Sequence, residues 1–223
     1  IRYSVSRITK GVMPWLVKVF INTEAVAFYA LAVNLIAFIE GTLPLNGLTP
    51  ILSLKMEKRS ELAYIFKQAM KYAFWLGLVL AVVSVIAVPL VVVLIFPNYA
   101  PAMPIFRLMV LALPFYGVFK VLKSTLTVLR EQKILAMRFV NEVLVIPIAS
   151  AVFLPTLGIV GSGLVYLSTY IERIAFFYLE LKKQYPEFTL KLKHFLSFGR
   201  NDVAMIKNFW RSGLGLFLGK IIK

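Results

Sequence analysis

Long uncharged stretches recur along the chain, and the longest runs from Ala73 to Phe96. Its 24 residues include no charged and no amide side chain. As a helix it would be about 36 Å long, whereas the hydrocarbon core of a bilayer is roughly 30 Å thick. Helices of soluble proteins normally leave one face in water, so this pattern favours a transmembrane helix over a buried helix of a large soluble enzyme.

The same pattern along the rest of the chain predicts an all-α fold, a polytopic transmembrane helix bundle of about six spans in residues 1–181. The approximate spans are 8–21, 25–50, 73–96, 102–122, 134–154 and 158–181. The first is the weakest because Pro14 and Lys18 interrupt it, and we favour a shortened span there over a re-entrant or interfacial segment. Residues 182–223 are predicted to form a basic amphipathic tail at the cytoplasmic surface, with a short helix after Asn201.

Local signals refine the second span. Asn22 is a good helix N-cap, and Glu24 follows it in the first turn. Helix-breaking residues then accumulate toward the end of the span: Gly41, Pro44, Gly47 and Pro50. They should bend or break the helix, which is tolerated at membrane depth only where protein or a water-filled cavity covers the backbone.

Positive charge alternates with the spans. Nearly all of the 25 lysines and arginines fall in the N-terminal segment, in the loops near 55–71 and 120–138, or in the tail. The turns at 22–24, 97–104 and 155–161 contain none. The positive-inside rule therefore places both termini in the cytoplasm of a multi-pass protein of the cell membrane.

Composition argues against most other functions. The net charge of +15 is explained by this orientation and by anionic lipid headgroups, so no nucleic-acid partner is expected. The chain has no cysteine, one histidine (His194) and one aspartate (Asp202). A magnesium-bound diphosphate needs several oxygen ligands, usually an aspartate cluster, so we predict no enzyme activity, no metal site and no cofactor.

Charges inside the predicted spans are the candidate functional residues: Glu40, Arg107, Glu142, Glu172 and Arg173. An exposed charge costs several kcal/mol at the bilayer centre, so these side chains should face a bundle interior or a cavity. Arg107 is read equally well as an anion contact or as a structural ion pair or snorkelling side chain. Glu142 more simply pairs with Arg138 one turn earlier. Glu172 and Arg173 point about 100° apart, so at least one should meet a cavity or another helix.

Four segments resemble polysaccharide-export flippases of the multidrug/oligosaccharidyl-lipid/polysaccharide exporter superfamily, of the O-antigen type. They are FYALA at 28–32, LTPILS at 48–53, LIFPNYA at 94–100 with Arg107 beyond it, and LGIVGSG at 157–163. The glycines of the last segment suit close helix packing. The aromatic residues of the chain are interpreted as ordinary lipid-facing and interfacial residues.

The resemblance implies one lobe of a carrier that moves a polyprenyl-diphosphate-linked oligosaccharide from the inner to the outer leaflet by alternating access. It implies that Arg107 and Arg173 contact the diphosphate, while Glu40, Glu142 and Glu172 stay cavity or ion-pair candidates. The expected partners are membrane lipids, the lipid-linked substrate and a second lobe, which would be a missing half of the chain, a second copy or a paralogue.

Two alternatives stay open. One is an exporter of drugs or organic cations from the same superfamily, which would favour acidic cavity residues over Arg107. The other is a non-transporting scaffold that recruits a polysaccharide biosynthesis complex through its basic tail.

Overall fold

The structure is a computed structural model that describes residues 12–45, 48–54, 58–190 and 194–195, without the side chains of 138–142. All regular structure in these ranges is helical, which confirms the all-α prediction. The chain divides into a unit of residues 1–189 and a unit of residues 190–223. The fold described below is that of the first unit, and the predicted tail helix after Asn201 lies outside the described residues.

The helices follow one another with short connections. They are α1 (residues 12–20), α2 (Thr23–Thr42), α3 (Leu48–Ser53), α4 (Arg59–Ile95), α5 (Met103–Val110), α6 (Leu113–Val128), α7 (Gln132–Leu157) and α8 (Gly161–Gln184). Turns of 3₁₀ helix occupy Pro97–Ala102, Gly158–Val160 and Pro186–Phe188.

Helix α2 begins and ends where its sequence signals indicate. The Asn22 side chain accepts a 2.7 Å hydrogen bond from the Ala25 backbone N–H, which confirms the predicted N-cap. The helix ends at Thr42, ahead of Pro44, and a separate short helix begins at Leu48. The expected break is therefore present, and helix α2 is shorter than the stretch 25–50 assigned to this span.

The stretch 102–122, predicted as one span, consists of two helices. Helix α5 ends at Val110, helix α6 begins at Leu113, and the pair is bent by 48°. Pro114 explains the break because it has no N–H to donate and its ring would clash with the Val110 carbonyl in a continuous helix.

Helices α7 and α8 form a hairpin. Helix α7 continues through Pro155 to Leu157, so the turn lies later than the predicted one that started at Pro155. Gly158 makes the turn with φ of +57°, a left-handed conformation that a side chain would strain. The two helices pack against one another beyond this turn.

By length and composition, three described segments could cross a membrane: Thr23–Thr42, Arg59–Ile95 and Val143–Gln184. The bent α5–α6 pair would be a fourth. Because Val143–Gln184 folds back at Gly158, this segment supplies two antiparallel helices. The described part of α1 is nine residues, about 13 Å as a helix, and the membrane boundaries of every span stay predictions.

The main hydrophobic core is formed mainly by side chains of α1, α2, α4, α5, α7 and α8. Fully buried side chains include Ile36 of α2, Phe106 and Met109 of α5, and Val17 of α1. Gly161 lies against the backbone of α7, and Gly163 lies against the Leu108 side chain and the Ile105 carbonyl of α5, which confirms the packing interpretation of the glycine segment. The bundle is thus centred on the short α5.

Two glycines bring α4 and α6 into direct contact. A Cβ on Gly77 would lie 2.7 Å from the Leu113 carbonyl oxygen, and one on Gly117 would lie 2.5 Å from the Ala73 carbonyl oxygen. Both obstacles are backbone atoms, so neither can move aside cheaply. Helix approach at this distance depends on the missing side chains.

We therefore expect Gly77→Ala and Gly117→Ala to destabilise the protein by about 1–3 kcal/mol each, because the added methyl forces the two helices apart. Gly41→Ala is the matched control, since nothing lies within 4 Å of its added Cβ. Thermal unfolding in detergent measures the effect. Equal stability of all three variants would contradict the packing role.

Candidate functional site

A carboxylate from one helix meets two tyrosines from another inside the bundle. Glu40 lies near the end of α2, and Tyr166 and Tyr170 are one turn apart on α8. Their hydroxyls donate hydrogen bonds of 2.7 Å and 2.9 Å to the same oxygen of Glu40, Oε1. Tyr170 is buried and Glu40 and Tyr166 are half-buried, so these bonds form out of bulk solvent.

Two cations flank this carboxylate. The Arg173 guanidinium lies 4.9 Å from the centre of the Tyr170 ring and 5.6 Å from that of Phe119. The Lys120 ammonium lies 5.4 Å from the centre of the Tyr116 ring. Both cations are close enough to act electrostatically on Glu40. The prediction that Glu172 or Arg173 meets another helix is confirmed for Arg173, which contacts α6.

We call these residues the Glu40 cluster: Glu40, Tyr116, Lys120, Tyr166, Tyr170 and Arg173. The Tyr170 ring packs edge to face against Tyr116 of the cluster and against the neighbouring Phe119, with 5.9 Å between ring centres in both pairs. The cluster joins α2, α6 and α8, and it combines one carboxylate with two cations and several hydroxyls. This set can bind phosphate oxygens through the cations or a small cation through the carboxylate.

Arg107 lies in a different environment. It is exposed on α5 and lines a groove whose other walls are apolar residues of α4, such as Pro89 and Leu90. Within the described residues it makes no ion pair. The structural ion-pair interpretation of Arg107 is thus without support in this part of the chain, whereas anion binding and snorkelling both fit an exposed guanidinium.

The other candidate residues add less. Glu172 is half-buried on α8. The side chains of Glu142 and Arg138 lie outside the described residues, so their pairing stays a prediction. In the described ranges, no group of three or more histidine, aspartate or glutamate side chains is placed to hold a metal ion.

The interpretation of the aromatic residues as lipid-facing is wrong for Tyr166 and Tyr170. Their hydroxyls bind Glu40, and sequence reasoning missed this contact and the nearby Lys120. A signal was present, because Tyr166, Tyr170 and Arg173 are spaced to lie on one face of a helix. A tyrosine hydroxyl inside hydrocarbon also needs a hydrogen-bond partner, which a phenylalanine does not.

A second polar network joins helix ends beyond the predicted spans. The Tyr185 hydroxyl donates a 2.6 Å hydrogen bond to Glu131, in the turn between α6 and α7. Arg59 at the start of α4 lies 5.6 Å from the Tyr185 ring centre and 3.9 Å from the Glu187 carboxylate. The hydrogen bond to Glu131 raises the pKa of Tyr185 above its ordinary value. These contacts tie together the ends of α4, α6 and α8.

No protein-family model and no curated protein sequence matches this chain. Among solved structures, the chain is similar to the lipid II flippase MurJ in an inward closed conformation, with a TM-score of 0.73 and 17% sequence identity. The similarity covers 93% of this chain and 45% of that flippase. At this identity the similarity shows the fold, and it confirms the predicted polytopic helical membrane bundle. The chain spans less than half of that flippase's length.

The hydrogen bonds of the Glu40 cluster should contribute to the stability of the folded protein. Tyr166→Phe and Tyr170→Phe should each lower the free energy of unfolding by about 1–3 kcal/mol, because each removes a hydrogen bond to a half-buried acidic group. In a double-mutant cycle, each tyrosine change should cost less unfolding free energy in the Glu40→Gln background than in the unchanged protein. Unfolding in detergent measures both effects.

Tyr64→Phe is the control for this series, because Tyr64 is 56% exposed. A loss of stability at Tyr64 equal to that at Tyr166 and Tyr170 would contradict the special role of the Glu40 cluster. The special role would also be contradicted if the stability losses from the tyrosine changes and from Glu40→Gln simply added.

Proposed function

We propose that this chain is one lobe of a flippase that moves a polyprenyl-diphosphate-linked oligosaccharide from the inner to the outer leaflet. The observation that carries the proposal is the fold similarity to a lipid II flippase over 93% of the chain. The motifs at 28–32, 48–53, 94–100 and 157–163 support the polysaccharide-export branch within this broader activity.

A second lobe is part of the proposal. The chain spans 45% of the flippase it resembles, so its partner would be further chain, a second copy or a paralogous lobe. An even number of spans would let the two lobes enter the membrane in the same orientation, as in transporters built from parallel repeats. A polar headgroup would then cross between the lobes while its tail stays in the bilayer.

The two arginines would act at different depths of the path. Arg173 lies with Lys120 in the Glu40 cluster, toward the side predicted to be cytoplasmic. Arg107 lies on α5 near the turn at 97–102, which is predicted to face outward. A guanidinium holds phosphate oxygens in a bidentate fork, so we infer that Arg173 contacts the diphosphate on the inner side and Arg107 on the outer side.

A drug or organic-cation exporter is the second candidate, and the Glu40 cluster favours it. A carboxylate beside tyrosine rings can bind an organic cation where that cation displaces Arg173 and Lys120 from the rings of Tyr170 and Tyr116. Inhibition of dye efflux separates the two functions. If other cationic dyes inhibit the efflux of a fluorescent dye and lipid-linked oligosaccharide does not, the second candidate is supported and the first is contradicted.

We expect Arg107→Ala and Arg173→Ala each to reduce polysaccharide export in cells about tenfold, and the double variant to reduce it further. Each change removes a charge-assisted contact of about 1.5–3 kcal/mol, and 1.4 kcal/mol corresponds to a factor of ten. Lys133→Ala is the control, since Lys133 is an exposed basic residue at the start of α7. Export that survives in the double variant, at normal protein levels, would overturn this assignment.

The proposed orientation can be tested with single cysteines, because the chain has none of its own. Asn98→Cys, in the 97–102 turn, should react with a membrane-impermeant maleimide added to intact cells. Lys133→Cys, on the opposite side, should react only after the membrane is opened. The reverse pattern would contradict the positive-inside orientation.

A further inference from the structure

A groove of about 560 Å³ runs along the surface between α4 and α5. We call it the α4–α5 groove, and its lining residues are Val85, Ile86, Pro89, Leu90, Val93 and Arg107. The five residues from α4 recur at helical spacing and form one stripe, about 12 Å long from Val85 to Val93. Pro89 is buried, whereas Ile86 and Leu90 are 70% and 64% exposed, so the groove has an apolar floor and apolar walls.

Arg107 is the single charged residue of this lining. It is exposed, and no acidic side chain in the described ranges pairs with it. A guanidinium on an apolar membrane surface is costly unless it snorkels to the interface or an anion meets it. The occupant that complements this groove therefore has an anionic group for Arg107 and an apolar chain for the stripe on α4.

A phosphate-bearing lipid has this combination, and such lipids differ in the number of apolar chains that they carry. A glycerophospholipid carries two acyl chains, whereas a polyprenyl phosphate carries one chain attached directly to its phosphate. The apolar lining is a single stripe on one helix, which matches one chain. The fork of the guanidinium matches phosphate oxygens better than it matches other lipid headgroups.

We propose that the α4–α5 groove binds the polyprenyl carrier of the transported lipid, with its phosphate on Arg107 and its first isoprene units over Pro89. This inference rests on the proposed function and extends it, because it assigns the carrier's tail as well as its phosphate to a site. All lining residues belong to this lobe. Binding of the carrier therefore does not require the second lobe, whereas flipping does.

The test measures binding of polyprenyl monophosphate to the full chain in detergent, by native mass spectrometry. Leu90→Trp fills the groove and should weaken binding at least tenfold. Arg107→Gln removes the charge and should weaken it similarly, while Arg107→Lys should recover part of the affinity. Leu94→Trp is the matched control, because Leu94 is 74% exposed on the same helix but does not line the groove.

Phosphatidylglycerol serves as the competing lipid. The proposal predicts that an equal concentration displaces little polyprenyl phosphate. It is overturned if phosphatidylglycerol competes equally, or if Leu90→Trp binds as well as Leu94→Trp. Thermal unfolding of each variant identifies any that has lost its fold, and Arg107→Gln then gives an independent measurement.

Failure of the groove and failure of the flippase function give different results. If Leu90→Trp binds and flips normally while Arg107→Gln does not flip, the groove assignment is wrong and the function stands. If the chain binds polyprenyl phosphate through the groove but never flips the sugar-linked lipid with its second lobe, the proposed function is wrong and the groove stands.

Discussion

The hydrogen bonds from Tyr166 and Tyr170 to Glu40 are the contact on which the interior of this bundle depends. An acidic side chain among hydrocarbon-embedded helices is stable only where donors or cations surround it. Here α8 supplies both hydroxyls and Arg173, and α6 supplies Lys120. The break at the end of α2 leaves Glu40 on the last turn, where it can reach α8. The polar cluster therefore orients three helices relative to one another.

Much of the fold could be predicted from the sequence because a bilayer permits few backbone structures. Uncharged stretches must be helices, so the all-α class, the N-cap at Asn22 and the break after Thr42 followed from local signals. The break before Pro114 was missed, since the apolar stretch around it is continuous. The turn at Gly158 was placed too early because Pro155 is tolerated within the last turns of α7.

The candidate site was harder to predict. Charges inside spans identified Glu40, Arg107 and Arg173, because burying a charge is costly wherever it occurs. The tyrosines that bind Glu40 carry no charge, and their partner is more than 120 positions away in the chain. Only the tertiary fold brings α8 close enough to the end of α2 for these hydrogen bonds, and no local pattern encodes that arrangement.

The central proposal is that this chain, as one lobe joined to a second one, flips a polyprenyl-diphosphate-linked oligosaccharide. The most direct measurement reconstitutes the two-lobed particle in vesicles with a fluorescent form of this lipid in the inner leaflet. Its appearance in the outer leaflet is then followed with a membrane-impermeant quencher. We expect movement well above that of protein-free vesicles, and much less movement with Arg107→Ala and Arg173→Ala combined. Movement no faster than in protein-free vesicles, from a particle that contains both lobes, would contradict it.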